Sequence, residues 1–321
     1  MNDQPTGMHH VSSISGHIAR NHAFYTGVLG LRLVKKSVNQ DDPGMYHLFY
    51  ADAIGSPGSD TTFFDYPGAA PGTRGNHSIS RLSFRVSGRE ALDFWHARLA
   101  DRGVEVGDVV EVDGALTLDF VDSDGTPLRL IDDGGSGPAH PWARSPVQAA
   151  FQLRGLGYPT LTVPVLDPTD RFLTRGLRLD RARQYVAPDA PARRVHVYRM
   201  AEGGPSAEVH VAIAADLPPA RYGSGSVHHL ALRVPDRQAL EAWRGHLDAL
   251  GYRNSGLVDR HWFESVYVRE PNGILFELAT DGPGFAVDED AEALGERLSL
   301  PPFLEPRRPQ IEAGLKPLDV G

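Results

Sequence analysis

The chain has no cysteine. Disulfides, thiolate metal ligands and cysteine nucleophiles are therefore excluded, and any bound transition ion must be held by nitrogen and oxygen. It has no apolar run long enough to cross a bilayer. The opening Met1-Asn-Asp-Gln-Pro lacks the pattern of a secretory leader, so the expected compartment is the cytoplasm. There is no basic stripe: 32 Lys and Arg face 41 Asp and Glu, a formal net charge of -9. That balance argues against a nucleic-acid partner. What the chain does have is length: 321 residues, 41% hydrophobic, suit two ordinary domains with real cores. It also has 14 histidines, most of which the plain reading leaves on the surface.

A search for repeats finds four segments built to one plan, an apolar strand followed by an amphipathic helix that ends at a glycine. The helix-end glycines are Gly30, Gly103, Gly176 and Gly251, and the turn glycines before each last strand are Gly58, Gly125, Gly204 and Gly273. Each interval leaves room for two strands. The prediction is an α+β protein of four βαβββ modules, at roughly 8–66, 77–133, 155–214 and 226–281, paired into two domains. The Gly- and Pro-rich stretch at 132–146 is the best boundary. The expected division is 1–140, 141–281 and a tail, 282–321, laid over the body. In module one a helix is expected over Ala19–Leu29. In module four it is expected over Asp236–Leu250, with Asp236 as N-cap and Gly251 at the C-terminus. The acidic run Asp288-Glu-Asp290 reads as a solvated helix start rather than a metal site.

The stretch Val227–Leu278 carries the chemistry. In Val227-His-His-Leu-Ala-Leu-Arg-Val234, alternation puts Leu230, Leu232 and Val234 on one face and His229 on the other. In Gly273-Ile-Leu-Phe-Glu-Leu278, Glu277 points away from Ile274, Phe276 and Leu278. A half-buried imidazole and carboxylate need partners, and a divalent metal serves both. Aligned on their landmarks, the modules show His10, Arg81, Thr160 and His229 at the first-strand position. At the last-strand position they show Thr62 (or Asp65, by register), Arg129, Glu208 and Glu277. His10, His229 and Glu277 thus form a two-His-one-carboxylate set, the donor pattern of non-haem iron(II) sites with open positions. A threonine hydroxyl and a guanidinium do not suit a divalent ion, so Thr160 and Arg129 are expected not to ligate. Parity places Tyr267 on the ligand face, where a phenol could bond a substrate oxygen. Arg260 begins the same strand and could hold a phenolate. His47 and His77 read as structural.

With these motifs in place the chain resembles the vicinal oxygen chelate superfamily, and within it the ring-cleaving dioxygenases of the hydroquinone type. The likeness spans nearly the whole chain. It rests on His9-His10, Val38-Asn-Gln-Asp-Asp-Pro-Gly-Met-Tyr-His-Leu-Phe-Tyr50, Thr61-Thr-Phe-Phe64, His228-His229, Phe263-Glu-Ser-Val-Tyr-Val-Arg269, Glu277 and the tail from Asp288 to Phe303. The resemblance implies Fe(II) held by His10, His229 and Glu277, and leaves Mn(II) open as the alternative ion. It implies His9, Ser12, His228, Arg260 and Tyr267 around the ion. It also implies a small aromatic substrate and O2 as partners, and a homo-oligomer. Catechol-cleaving relatives take their first histidine from module three; Thr160 stands there in this chain, which favours the hydroquinone subgroup. The alternatives are a catechol extradiol dioxygenase, a glyoxalase-like lyase or isomerase, which wants a fourth ligand that also acts as base, and a sequestering protein without catalysis.

Overall fold

Alternating apolar and polar positions make strands, and in each module four of them follow the expected order. The computed structural model describes residues 4–188 and 190–318. The first residues of the N-terminal stretch and the last of the tail, both read above, lie outside the described residues. Module one is β1 (Met8–Ser15), α1 (Ile18–His22), β2 (Arg32–Val38), β3 (Tyr46–Ala51) and β4 (Asp60–Asp65). Module two is β5 (Ser78–Val86), α2 (Gly88–Asp101), β6 (Val106–Val112), β7 (Ala115–Val121) and β8 (Pro127–Asp132). Module three is β9 (Thr160–Val163), α3 (Leu166–Arg171), β10 (Asp180–Val186), β11 (Arg194–Arg199) and β12 (Glu208–Ile213). Module four is β13 (Val227–Val234), α4 (Arg237–Ala249), β14 (Val258–Asp259), β15 (Phe263–Arg269) and β16 (Leu275–Pro283). A last helix, α5 (Arg308–Gly314), lies in the tail.

The strands form two curled sheets of eight, ordered β14-β15-β16-β13-β1-β4-β3-β2 and β10-β11-β12-β9-β5-β8-β7-β6. This is the α+β architecture of paired βαβββ modules. The expected division at 140/141 follows the order of the chain. The sheets group the modules differently, one with four and two with three. The joint is hydrogen bonding between first strands, β1 antiparallel to β13 and β5 antiparallel to β9. Each half of the chain therefore gives one module to each sheet, a partnership that local sequence cannot encode.

Two local features of the modules bear on the reading. Asp236 caps α4, its Oδ1 accepting from Ala239 N at 2.9 Å, and Gly251 closes it at φ +77°. The helix expected over Ala19–Leu29 is α-helical only to His22. It then widens into π-helical turns over Ala23–Val28, with Leu29 N donating to Phe24 O at 2.9 Å. Module three repeats this over Phe172–Gly176. The wider turn sends the buried Tyr25 inward, its hydroxyl 2.9 Å from Asp122 Oδ2.

Parity sorts the side chains of the first sheet. Leu230, Leu232, Val234, Phe276 and Leu278 go to the main core. The concave face holds a smaller apolar floor of Val34, Phe49, Ala51, Ala231, Trp262, Phe263 and Ala279, to which the tail adds Phe285 and Leu294. The acidic run is not a solvated helix start. Asp288 and Glu289 pair with Lys35, whose side chain is wholly buried, and Lys35 Nζ is 2.6 Å from Asp288 Oδ1. Asp288 Oδ2 also accepts from Trp262 Nε1 at 3.0 Å and Ser299 Oγ at 2.8 Å. A buried ammonium needs paired carboxylates, and that need outweighs solvation of the run. Only Asp290 starts a helical turn, accepting from Glu292 N at 3.0 Å. Among the described residues, no helix is long and apolar enough to cross a membrane.

Candidate metal centre

Three strands of the first sheet each contribute one donor. His10 lies on β1, His229 on β13 and Glu277 on β16, all buried. The pairing that sets them is Ser12 opposite His229 and Ala231 beside Glu277. Register shifts flank His10 on β1, between Met8 and His10 and between Ser12 and Ser13. Such bulges re-aim side chains next to sites. His10 Nε2 and His229 Nε2 lie 3.3 Å apart. Glu277 Oε2 is 3.2 Å from the first and 2.9 Å from the second. A triangle with edges near 3 Å is the size of one face of a coordination polyhedron with bonds of about 2 Å.

The surroundings fix which atoms face inward. His9 Nε2 is 3.0 Å from the carbonyl of Thr280, which can only accept, so that nitrogen carries the proton. His9 stays neutral: burial, then the neighbouring His10, lowers its pKa to about 3. Its Nδ1 is then a lone pair, and His10 Nδ1, 2.9 Å away, must donate to it. The lone pair of neutral His10 is thereby left on Nε2, toward the triangle. His228 stands behind His229 in the same way, Nδ1 to Nδ1 at 2.7 Å, with its own pKa lowered to about 4 by burial and by His229. Ser265 Oγ donates to Glu277 Oε1. Glu277 Oε2 has no hydrogen-bond donor of its own although it is fully buried.

Lone pairs that converge at this distance require a positive charge. Without an ion the protein supplies a proton: burial disfavours a charged His10, but Glu277 outweighs it and raises the His10 pKa. Burial likewise opposes a charged Glu277, and the two imidazoles outweigh it and hold the carboxyl well below its usual range. The donor set, two imidazoles and one carboxylate with supporting partners, fits a divalent transition ion better than a proton, since an ion satisfies all three atoms together.

The triangle opens into a cup of about 300 Å³, at the small end for ligand pockets. Its walls include Phe49, Phe64, Trp262 and Phe263, and its polar lining includes Ser12, His47, Arg260 and Tyr267. Arg260 Nε donates to Tyr267 Oη at 3.1 Å, leaving the phenol's own hydrogen for another acceptor. Arg260 also reaches Asp41 at 3.2 Å, and Gln40 Nε2 donates to the Arg260 carbonyl at 2.9 Å, so the β2–β3 loop meets this wall. Burial opposes the Arg260 charge, but Tyr267 and Asp41 outweigh it and raise its pKa. Burial and the charge of Glu277 raise the pKa of Tyr267.

His10, His229, Glu277, His9, His228, Ser12, Arg260 and Tyr267 thus come together around one cup. Thr62 and not Asp65 is the counterpart of Glu277 in module one: it lies beside Ser12, two residues past His10, as Glu277 lies beside Ala231, two past His229. His47, read above as structural, is among the residues lining the cup. The signal for it was parity, since it shares a face with Phe49 on β3 as Thr62 does with Phe64 on β4.

In the second sheet the same register corrects module three. Arg81 pairs with Thr160 as His10 pairs with Ala231, and Thr160 lies beside His210 as Ala231 lies beside Glu277. The counterparts of His229 and Glu277 are therefore Tyr158 and His210, not Thr160 and Glu208. That cup is filled by its own side chains. Tyr158 stacks on His210 at 3.5 Å, Arg129 makes a two-bond pair with Asp119 at 2.6 and 2.7 Å, and Arg183 does so with Glu208 at 2.8 Å. Arg129 and Thr160 both belong to that second sheet, away from the triangle.

The model of the Glyoxalase/Bleomycin resistance protein/Dioxygenase superfamily matches the chain twice, over residues 7–130 and 155–278. The chain is 45% identical over 314 residues to MhqA of Bacillus subtilis (strain 168), to which a ring-cleaving dioxygenase activity is provisionally assigned. That match covers 97% of this chain and 98% of MhqA. It is 32% identical over 305 residues to the chlorohydroquinone/hydroquinone 1,2-dioxygenase of Sphingobium indicum, covering 93% and 92% of the two chains. A crystal structure from Bacillus subtilis subsp. subtilis str. 168, provisionally assigned as a dioxygenase, superposes with a TM-score of 0.90 at 36% identity and covers 99% of both chains.

Proposed function

The chain belongs to the Glyoxalase/Bleomycin resistance protein/Dioxygenase superfamily, and from that premise we propose that it is a ring-cleaving dioxygenase that opens a hydroquinone-type ring with O2, using Fe(II) held by His10, His229 and Glu277. The observation that carries the reading is the buried triangle of two imidazoles and one carboxylate at the base of a small aromatic-walled cup. The likeness to a hydroquinone 1,2-dioxygenase over nearly the whole chain supports the substrate class.

Fe(II) would supply the redox chemistry between an aromatic ring and O2. The rest is done by side chains. Ser265 orients Glu277, His9 sets the tautomer of His10, and His228 holds the ring of His229 through its Nδ1. Phe49, Phe64, Trp262 and Phe263 shape a slot for one ring and exclude water. The hydroxyls of a hydroquinone are para, so they cannot both chelate one ion, and protein groups must set the ring's angle. Tyr267, held by Arg260, has a hydrogen to give a substrate oxygen. The glyoxalase-like reading is disfavoured by Thr62, which stands where a fourth carboxylate ligand and base would be needed.

The test is anaerobic loading with Fe(II) or Mn(II), followed by oxygen uptake with methylhydroquinone and with catechol. Stoichiometric uptake with the hydroquinone is expected from the Fe(II) form. Isomerase activity without oxygen uptake would replace this reading with the glyoxalase-like one.

A further inference from the structure

The cup contains a chain of hydrogen bonds that the metal site does not use. Thr62 is wholly buried, and its Oγ1 lies 2.7 Å from Ser12 Oγ and 2.8 Å from His47 Nε2. Both ends line the cup, and the middle does not. The ring of His47 is fixed between Phe49 and Phe64, with centroids at 4.0 and 4.1 Å. A hydroxyl has one hydrogen, and the buried Thr62 has these two neighbours to satisfy it, so it donates to one and accepts from the other. Two states follow. In the first, Ser12 donates to Thr62, Thr62 donates to His47 Nε2, and His47 carries its proton on Nδ1. In the second, His47 Nε2 donates to Thr62, Thr62 donates to Ser12, and Ser12 donates into the cup. Ser12 is an acceptor toward the cup in the first state and a donor in the second.

We propose that Ser12, Thr62 and His47 form a proton path that carries the hydrogen of a hydroquinone hydroxyl away from the triangle; the proposal rests on the ring-cleaving reading. The substrate O–H breaks and a new O–H forms on Ser12. The hydrogen of Ser12 passes to Thr62, that of Thr62 passes to His47 Nε2, and the Nδ1 proton of His47 leaves to water from its half-buried ring. Tautomer exchange in His47 and rotation of the hydroxyls restore the first state. Ser12, Thr62 and His47 end neutral, the substrate is left as its phenolate and the proton is in water. This agrees with the site's refusal of a charged His47: burial, then His10, His229 and Arg260, push its pKa well below the usual value, and Glu277 opposes them. Asp41, Tyr66, His228 and Tyr267 line the same cup.

Thr62→Val cuts the path while keeping the shape, and His47→Phe removes its far end while keeping the stack. Each should retain metal content and lower kcat/KM for methylhydroquinone by about 100-fold near neutral pH, the low end of what positioned proton transfer contributes. The deficit should shrink as pH approaches about 10, where a phenol ionises unaided. The double variant should be no worse than either single one, since the two break the same path. Full activity, a loss that does not vary with pH, or additive losses would overturn the path. A second readout needs no metal and no turnover: nitrogen NMR of the apoprotein should show the His47 Nε2 signal move in Thr62→Val. An unmoved signal refutes the path, whereas absence of oxygen uptake by the wild type refutes only the ring-cleaving reading.

Discussion

Replacing Glu277 by Gln should separate folding from metal binding. The carboxylate is fully buried, with Oε1 bonded to Ser265 and Oε2 turned to two imidazole nitrogens at 3.2 and 2.9 Å. An amide oxygen can keep the Ser265 bond. The amide nitrogen then stands where Oε2 was, with two N–H groups aimed at the Nε2 lone pairs of His10 and His229. The apo variant exchanges the His10–Glu277 pair of the apo wild type for up to two amide hydrogen bonds worth about 0.5–1.5 kcal/mol each, so it should lose little or no stability. The same N–H groups close the triangle to a cation. For the wild type, free ion at about 1,000 times its Kd adds about 4 kcal/mol. With an unfolding entropy of about 2.1 cal/mol/K per residue over 321 residues, that raises Tm by about 6 °C. The assay is anaerobic calorimetry of both proteins with and without Fe(II), with metal content measured on the same samples. The expected result is a rise of about 6 °C for the wild type and none for Glu277→Gln, whose apo form melts close to wild-type apo. An equal metal-induced rise in the variant, or an apo form destabilised by more than about 2 kcal/mol, would refute the reasoning.

His10→Ala and His229→Ala should each fold and fail to retain the ion, a larger loss than the roughly 10–100-fold typical of changes around a metal site; iron analysis after desalting checks this. Because the folded pKa of His10 is raised above 6.5, its stabilising proton is present below that value and is lost as pH rises through the folded value. Ion uptake must displace that proton, so affinity should fall as pH drops, with up to one proton released per ion in a calorimetric comparison of two buffers. Tyr267→Phe should keep its iron and lose about 10–100-fold in single-turnover rate, the scale of one positioned hydrogen bond; an unchanged rate would make the residue structural. Lys35→Ala leaves the buried Glu289 and the half-buried Asp288 without their ammonium and should cost about 3–5 kcal/mol in denaturant unfolding.

The repeat, the faces of the strands and the histidine parity were all legible because each is local. Strand alternation alone puts His229 opposite Leu230, and a two-residue period needs no tertiary knowledge. What was not legible depends on partners far along the chain. Nothing near Met8–Ser15 announces Val227–Val234, so the grouping of modules into sheets had to come from the structure. The slip in module three has a related cause: Tyr158 precedes the regular part of β9, and the landmarks used to align the modules do not fix register to two residues. The acidic run was misread because its partner is a lysine about 250 residues earlier on a strand. Doubled lysines at 35 and 36 were the only hint, since alternation must turn one of them inward.

The joining of β1 to β13 has a consequence in time. The triangle draws on residues 10, 229 and 277, so neither half of the chain holds a complete set. During synthesis the first module must wait with its cup unfinished until module four has left the ribosome. Closing so long an interval is slow, and exposed strand edges persist meanwhile. A chain that stops short of residue 277 therefore presents at most two of the three donors, and tight capture of an ion is reserved for a chain whose first and fourth modules have already met. If the chain is nicked within 133–146 and the pieces are separated, each should be unable to hold the ion, and recovery of metal on mixing would report that the halves had found each other.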